Sequence, residues 1–205
     1  MSLQSTVQRG YVLGFAGQIV RDGPKRAKIA RIVSATLGTD PGASTNRISR
    51  AFGYSQEVPE LGTSPVQQEA EVIVGGANFF GVLGQPQRYA LYGKSGDALA
   101  ASYDLPQGVE GEFFDMVTGM IMEVFNFTTG AETPTYGDPV GYVPSTITTA
   151  NNPLALPYGA LVTWAAGAAV PTGIVQIPTA KIVVPMSLAA SAAGALVSGN
   201  TIVQI

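Results

Sequence analysis

Short apolar runs punctuated by glycine and proline dominate this chain, and they predict strands rather than helices. Over residues 67–74 acidic and aliphatic side chains alternate, with Glu69, Glu71 and Ile73 on one side and Ala70, Val72 and Val74 on the other. That pattern predicts a strand ended by Gly75-Gly76. Residues 48–54, 79–83 and 88–92 predict further short strands, the last two around Gly84-Gln85-Pro86. Residues 11–15 read as one short strand, and 98–103 as either a strand or one or two helical turns. Loops are expected over 38–46 and 56–65, and a turn over 105–108.

The stretch 109–143 organises the rest. Phe113, Phe114, Val117, Met120, Ile121 and Val124 fit one helical face, but Gly119 would then stand mid-helix at a cost of about 1 kcal/mol. The content of Val, Ile, Phe and Thr favours strands. Over 120–124 both alternating faces are apolar except at Glu123, which suits a strand covered on both sides. A Gly/Thr/Pro turn region follows, and Gly137-Asp138-Pro139 leads into a short strand. Residues 25–37 remain open. Ile29, Ile32, Val33 and Leu37 make a helical stripe, while Ala27, Ile29 and Val33 alternate with charges almost as well.

The tail repeats a pattern: Ile174-Val175-Gln176-Ile177 recurs as Ile202-Val203-Gln204-Ile205, with a third β-branched run, 181–184, between Pro178 and Pro185. Two similar strands predict neighbouring places in one barrel or sandwich, with the second tied into a sheet. Two copies are too few for a repeat architecture. The expected fold is all-β, a barrel or sandwich of short antiparallel strands over residues 35–205, preceded by an extended basic N-terminal arm over residues 1–34.

Composition sharpens this picture by exclusion. The chain has 205 residues, with 46% apolar and 12% charged side chains, against a usual charged share of about 25%. Much of its surface is therefore neutral or covered by a partner. With no Cys and no His, disulfides, thiolate nucleophiles, Ser-His-Asp triads and zinc hydrolase sites are ruled out. No leader is expected at residues 1–9, which are polar, and no apolar run reaches the 18 residues of a membrane helix.

The net charge of -3 hides an asymmetry. Residues 1–50 hold eight Lys/Arg against two acids, and residues 51–205 hold three against twelve. After Asp138 the single charged side chain is Lys181. Within the basic front, Arg21, Lys25, Arg26, Lys28 and Arg31 crowd together with Asp22 as the one acid among them. No aromatic residue stands in that stretch to stack on bases, so an acidic protein surface suits it better than nucleic acid.

Candidate chemistry is sparse. Glu69/Glu71, Glu110/Glu112 and Asp115 with Glu123 are carboxylate pairs that read as solvated strand faces rather than an acid and base. Asp138 with Asp40 or Glu132 lacks the spacing of a calcium loop. Gly75-Gly76 and Gly14 to Gly17 lack the residues of a phosphate cradle. No catalytic, cofactor-binding or metal-binding residue is assigned, and no enzyme activity is expected.

Several segments carry a resemblance. They are Gly14-Phe15-Ala16-Gly17, NRISRAFGY (46–54), FFGVLGQPQRYAL (79–91), LPQGVEGEFFDMVTGMIMEV (105–124), GDPVGYV (137–143), and the ending from IPTAKIVVP to the final IVQI. In this order and spacing the chain resembles the structural cement, or decoration, proteins of tailed bacteriophage heads. The resemblance implies a jelly-roll-like all-β protein on the outer surface of the capsid, stabilising the shell. It implies the major capsid protein and further copies of itself as partners, a homodimer rather than a homotrimer. The basic arm, Arg21, Lys25, Arg26, Lys28 and Arg31, is the expected capsid contact. The alternative is a carbohydrate-binding or tail-associated β module of a virion, which would need Trp164, Tyr158 and Tyr142 as an aromatic platform. A third reading, an enzyme using carboxylates alone, finds no Asp-Thr/Ser-Gly motif.

Overall fold

The fold was obtained as a computed structural model, which describes residues 16–34, 46–56, 70–84, 105, 107–127, 133–152, 154–185 and 198–205. Among these, ten strands carry the architecture: β1 Lys25–Ile32, β2 Ala51–Gln56, β3 Glu71–Val74, β4 Phe79–Leu83, β5 Glu110–Val117, β6 Met120–Asn126, β7 Pro139–Tyr142, β8 Leu161–Thr163, β9 Val175–Val184 and β10 Ser198–Gln204. The one helical element among the described residues is a short 3-10 turn, Thr149–Asn151. The expected strands at 11–15 and 88–92, the ambiguous 98–103 and the loop at 38–45 lie outside the described residues.

The strands close into two barrels, in the order β1-β3-β2-β4-β5 and β6-β8-β7-β9-β10. The second order is the first with five added to every strand number. The pairing senses agree as well. β1/β3 and β6/β8 are parallel, and every other pair is antiparallel. The chain is thus one five-strand design used twice in tandem. The all-β barrel expected from the sequence is present, divided into two barrels of five strands with one parallel pair in each.

Strand chemistry explains the division. β5 and β6 are separated only by Thr118 and Gly119, yet they belong to different barrels. On β5, Phe113 packs inside the first barrel with Ile32, Phe52, Val72, Phe80 and Leu83. Its neighbour Phe114 faces the other way, into a cluster with Ala51, Val82 and Val117. That cluster continues without a break into the second barrel through Met120, Met122, Tyr142, Leu161, Ile177 and Val203. The two barrels therefore share one apolar interface rather than being strung on a linker. A third cluster around Phe125, Leu156, Val162 and Trp164 lies under the loop between β7 and β8.

Polar contacts fasten the same interface. The Tyr142 hydroxyl donates to the Gly76 carbonyl at 2.7 Å. The Ser145 N–H donates to the Gly75 carbonyl at 2.7 Å, and the Ala51 N–H to the Gly159 carbonyl at 2.8 Å. Ser49, at φ 73, holds a backbone conformation rare outside glycine. Its hydroxyl accepts the Glu123 N–H at 2.7 Å. Arg50, only 4% exposed, reaches Glu123 at 3.7 Å and lies over the Phe125 ring.

Residues 25–32, which fall within the arm expected over 1–34, are part of the first barrel, while residues 1–15 of that span lie outside the described residues. They are extended, as one of the two sequence readings had it, but they form β1, paired with β5 along almost its whole length. Ala30 and Ile32 are fully buried, and this burial draws the segment into the barrel despite its charges. Upstream, residues 17–20 lie along β6 of the other barrel, through an antiparallel bridge between Ile19 and Met120. In the tail, the runs on either side of Pro178 merge into the single strand β9. Pro178 sits in the register slip opposite Pro139 to Gly141, an irregularity of the kind where proline is tolerated within a sheet.

Candidate functional site

The basic residues singled out by sequence fall on and before β1, in three different situations. Arg26 and Lys28 converge on Asp115 of β5. The Arg26 guanidinium makes a two-pronged contact, Nε to Oδ1 and Nη2 to Oδ2, each 2.8 Å. The Lys28 Nζ lies 2.6 Å from Oδ2. Asp115 arrives there because the β1/β5 register slips between Arg26 and Ala27, which makes it the extra residue of a bulge. Burial pushes its carboxyl upward, but the hydrogen bonds and charges of Arg26 and Lys28 outweigh that and hold it below its ordinary value.

An aromatic series underlies the ion cluster. The Lys28 Nζ stands 5.1 Å from the Phe80 ring centre. Phe80 meets Tyr54 and Phe113 edge-on, at 4.9 and 5.5 Å, and Phe113 meets Phe52 at 4.9 Å. The cluster thus touches the apolar interior of the first barrel through Phe80, and two of the five predicted cations are held there.

Lys25 and Arg31 are exposed. Arg31 has Glu71 and Glu110 as its cross-strand neighbours, on β3 and β5. Arg21 stands apart from the strand: its aliphatic stem lies against Gly119, in the link between the barrels. Between Lys25 and Arg31 the exposed face of β1 also carries Ile29, 60% exposed. Sequence reasoning missed Ile29 as a surface residue and Asp115 as the partner of the cations. Asp115 could have been noticed, because in the sequence it is an acid set between Phe113 and Val117, both buried positions of β5.

The other candidates look different in three dimensions. Trp164 is 4% exposed and Tyr142 fully buried, so they do not present the platform that a carbohydrate module would need. Beside Trp164 lies a cleft of about 380 Å³ that also reaches Asn126, Thr135, Asp138 and Thr163. The Asp138 carboxylate there accepts from the Thr135 N–H at 2.7 Å, the Thr135 hydroxyl at 3.3 Å and the Ala166 N–H at 3.0 Å. It serves to pin two turns together. Of the carboxylate pairs, Glu110 and Glu112 flank β1 across the β5 ladder, Glu123 answers Arg50, and Glu69, Asp40 and Glu132 lie outside the described residues.

The sequence matches no family model and no curated protein. Among solved structures, one similar chain comes from "The capsid of Myoviridae Phage XM1". It has 12% sequence identity and a TM-score of 0.47, with 100% of this chain and 97% of that chain covered.

Proposed function

We propose that this chain is a decoration protein of a tailed-phage head. It binds the outer surface of the assembled shell and stabilises it, with the major capsid protein and a second copy of itself as partners. The observation that carries the reading is the exposed face of β1, with Lys25, Ile29 and Arg31, on a chain that is poor in charge. Lys25 and Arg31 stand exposed on this strand, Arg26 and Lys28 are held on Asp115, and Arg21 lies just before it. The resemblance of the sequence segments to cement proteins supports the same reading.

Exposed ion pairs contribute only about 0–1 kcal/mol each, so such a face works together with apolar and backbone contacts. Many copies binding the assembled shell in preference to free subunits would stabilise it by mass action. The test mixes the purified chain with heads that lack it and images the particles. Regular density on the outer surface, reduced in a Lys25→Glu/Arg31→Glu variant, is the expected result. No binding, or density inside the shell, would sink the reading. Deleting residues 1–31 is unsuitable as a test, because it would remove most of β1 and open the first barrel. The homodimer is tested separately by sedimentation, where a stable monomer at micromolar concentration contradicts it.

A further inference from the structure

The internal duplication makes the β3–β4 connection of the first barrel and the β8–β9 connection of the second counterparts. The two differ in what covers them. The β3–β4 turn is docked on the second barrel. The Gly75 carbonyl accepts from the Ser145 N–H and the Gly76 carbonyl from the Tyr142 hydroxyl, each at 2.7 Å. A Cβ on Gly75 would stand only 2.9 Å from the Val143 carbonyl oxygen. In the first barrel this connection is thus an association surface, and its cover is a barrel of the same design.

The counterpart loop starts at the buried Trp164 and ends at the buried Ile174. Between them residues 165–171 read Ala-Ala-Gly-Ala-Ala-Val-Pro, without one polar side chain. Residues 166–170 are all exposed, Val170 to 41%. Surface turns ordinarily draw on Asn, Asp and Ser as well as Gly and Pro. A contiguous exposed apolar patch marks a contact. The loop is also fixed in place. The Ala168 N–H donates to the Ala165 carbonyl and the Ile174 N–H to the Pro171 carbonyl, both at 3.1 Å. Asp138 accepts from both the Ala166 N–H and the Thr135 N–H, which sets the neighbouring turn against the loop. That turn carries Tyr136, 69% exposed. A surface already held in shape loses little freedom when it binds.

We propose that this loop, with Tyr136 beside it, is the contact through which two copies of the chain associate. The occupant is the same loop of a second copy, related by a twofold axis. Two observations name it. On the first barrel the counterpart connection is covered by a barrel of this same design. The loop also carries no charge, so two copies of a chain with net charge -3 meet there without opposing like charges. An uncharged apolar surface is complementary to itself, as a twofold contact requires. The inference rests on the homodimer proposed above and gives it a location, and the two can fail separately.

Thiol labelling and sedimentation of the full chain test it. The chain has no cysteine, so Val170→Cys supplies a single thiol for a maleimide reagent. Labelling should be fast in the dilute chain and should slow at least about tenfold as mass action fills the dimer. Met116→Cys, a 40% exposed position on the first barrel, should label at one rate throughout. Ala168→Glu/Val170→Glu, at two exposed positions, should weaken self-association at least about a hundredfold with the circular dichroism spectrum unchanged, because like charges then face each other. Met116→Glu should leave self-association as it was. Slow labelling of Val170→Cys in the dilute chain would overturn the proposal, because the loop would then be covered by its own chain. So would labelling that ignores concentration in a chain that sediments as a dimer. A dimer that survives both glutamates would overturn the contact and leave the homodimer standing on another face. A monomer of the unaltered chain at micromolar concentration would sink the homodimer and this contact together.

Discussion

Val117 and Ile205 exchange both of their backbone hydrogen bonds, at 3.1 and 3.0 Å. One ends the last strand of the first barrel, and the other follows the last strand of the second. Their pairing closes the seam between the barrels, and Ile205, 4% exposed, adds its side chain to the shared apolar cluster. Ile205→Ala should therefore lower unfolding stability by about 2–5 kcal/mol, as for other buried aliphatic truncations. Chemical denaturation measures this. A loss below about 0.5 kcal/mol, the level of ordinary surface substitutions, would mean the seam is dispensable.

The Asp115 ion cluster predicts a pH dependence. An unfolded aspartate titrates near about 3.9, and the folded one is held lower by Arg26 and Lys28. A lowered carboxyl contributes stability that is fully present above the unfolded value and is lost as pH falls through the folded one. Between about pH 5 and pH 2, wild-type stability should fall more steeply than that of Asp115→Asn. Parallel acid curves for the two would show that the cluster does not couple to folding.

Tyr142 predicts the alkaline counterpart. Its phenol is fully buried, and burial pushes it up to about 12. An unfolded tyrosine titrates near about 10, so the folded state favours the protonated form. That contribution is present below the unfolded value and is lost as pH rises toward the folded one. Tyr142→Phe should lose about 1–3 kcal/mol near neutrality, because the Gly76 carbonyl loses its donor. It should also lose stability less steeply above about pH 10, as followed by thermal melts across that range.

Two glycines should respond differently to alanine. A Cβ on Gly53 would stand 2.4 Å from the Gly76 carbonyl oxygen, so backbone must move, at about 1–3 kcal/mol or more. Gly108 has open space around it but holds φ +87, so Gly108→Ala meets only the left-handed backbone penalty, about 1–2 kcal/mol. If both substitutions prove equally mild, the close approach of Gly53 to Gly76 is absent in solution.

Local pattern by itself determined several of the strands and their burial. Phe79–Leu83 is the strand read from the sequence, and β7 is entered through Gly137-Asp138 as expected. β6 is covered on both faces, as its two apolar sides required. These features follow from side-chain periodicity, which a strand carries with it wherever it pairs. What the strand pairs with is set by distant residues, and there only the tertiary structure decides. The adjacent runs of β5 and β6 read as two extended segments with nothing local to separate their partners, yet barrel closure sends them to different barrels. The IVQI motifs do fall at neighbouring strands, but the duplicated unit is the five-strand barrel, whose two copies share a pairing order without a visible shared motif. The basic segment looked like a free arm because the acid that answers it, Asp115, lies far along the chain. Only closing β5 against β1 brings that carboxylate to Arg26 and Lys28. Charge along a sequence can be counted locally, whereas its neutralisation depends on which strands meet in space.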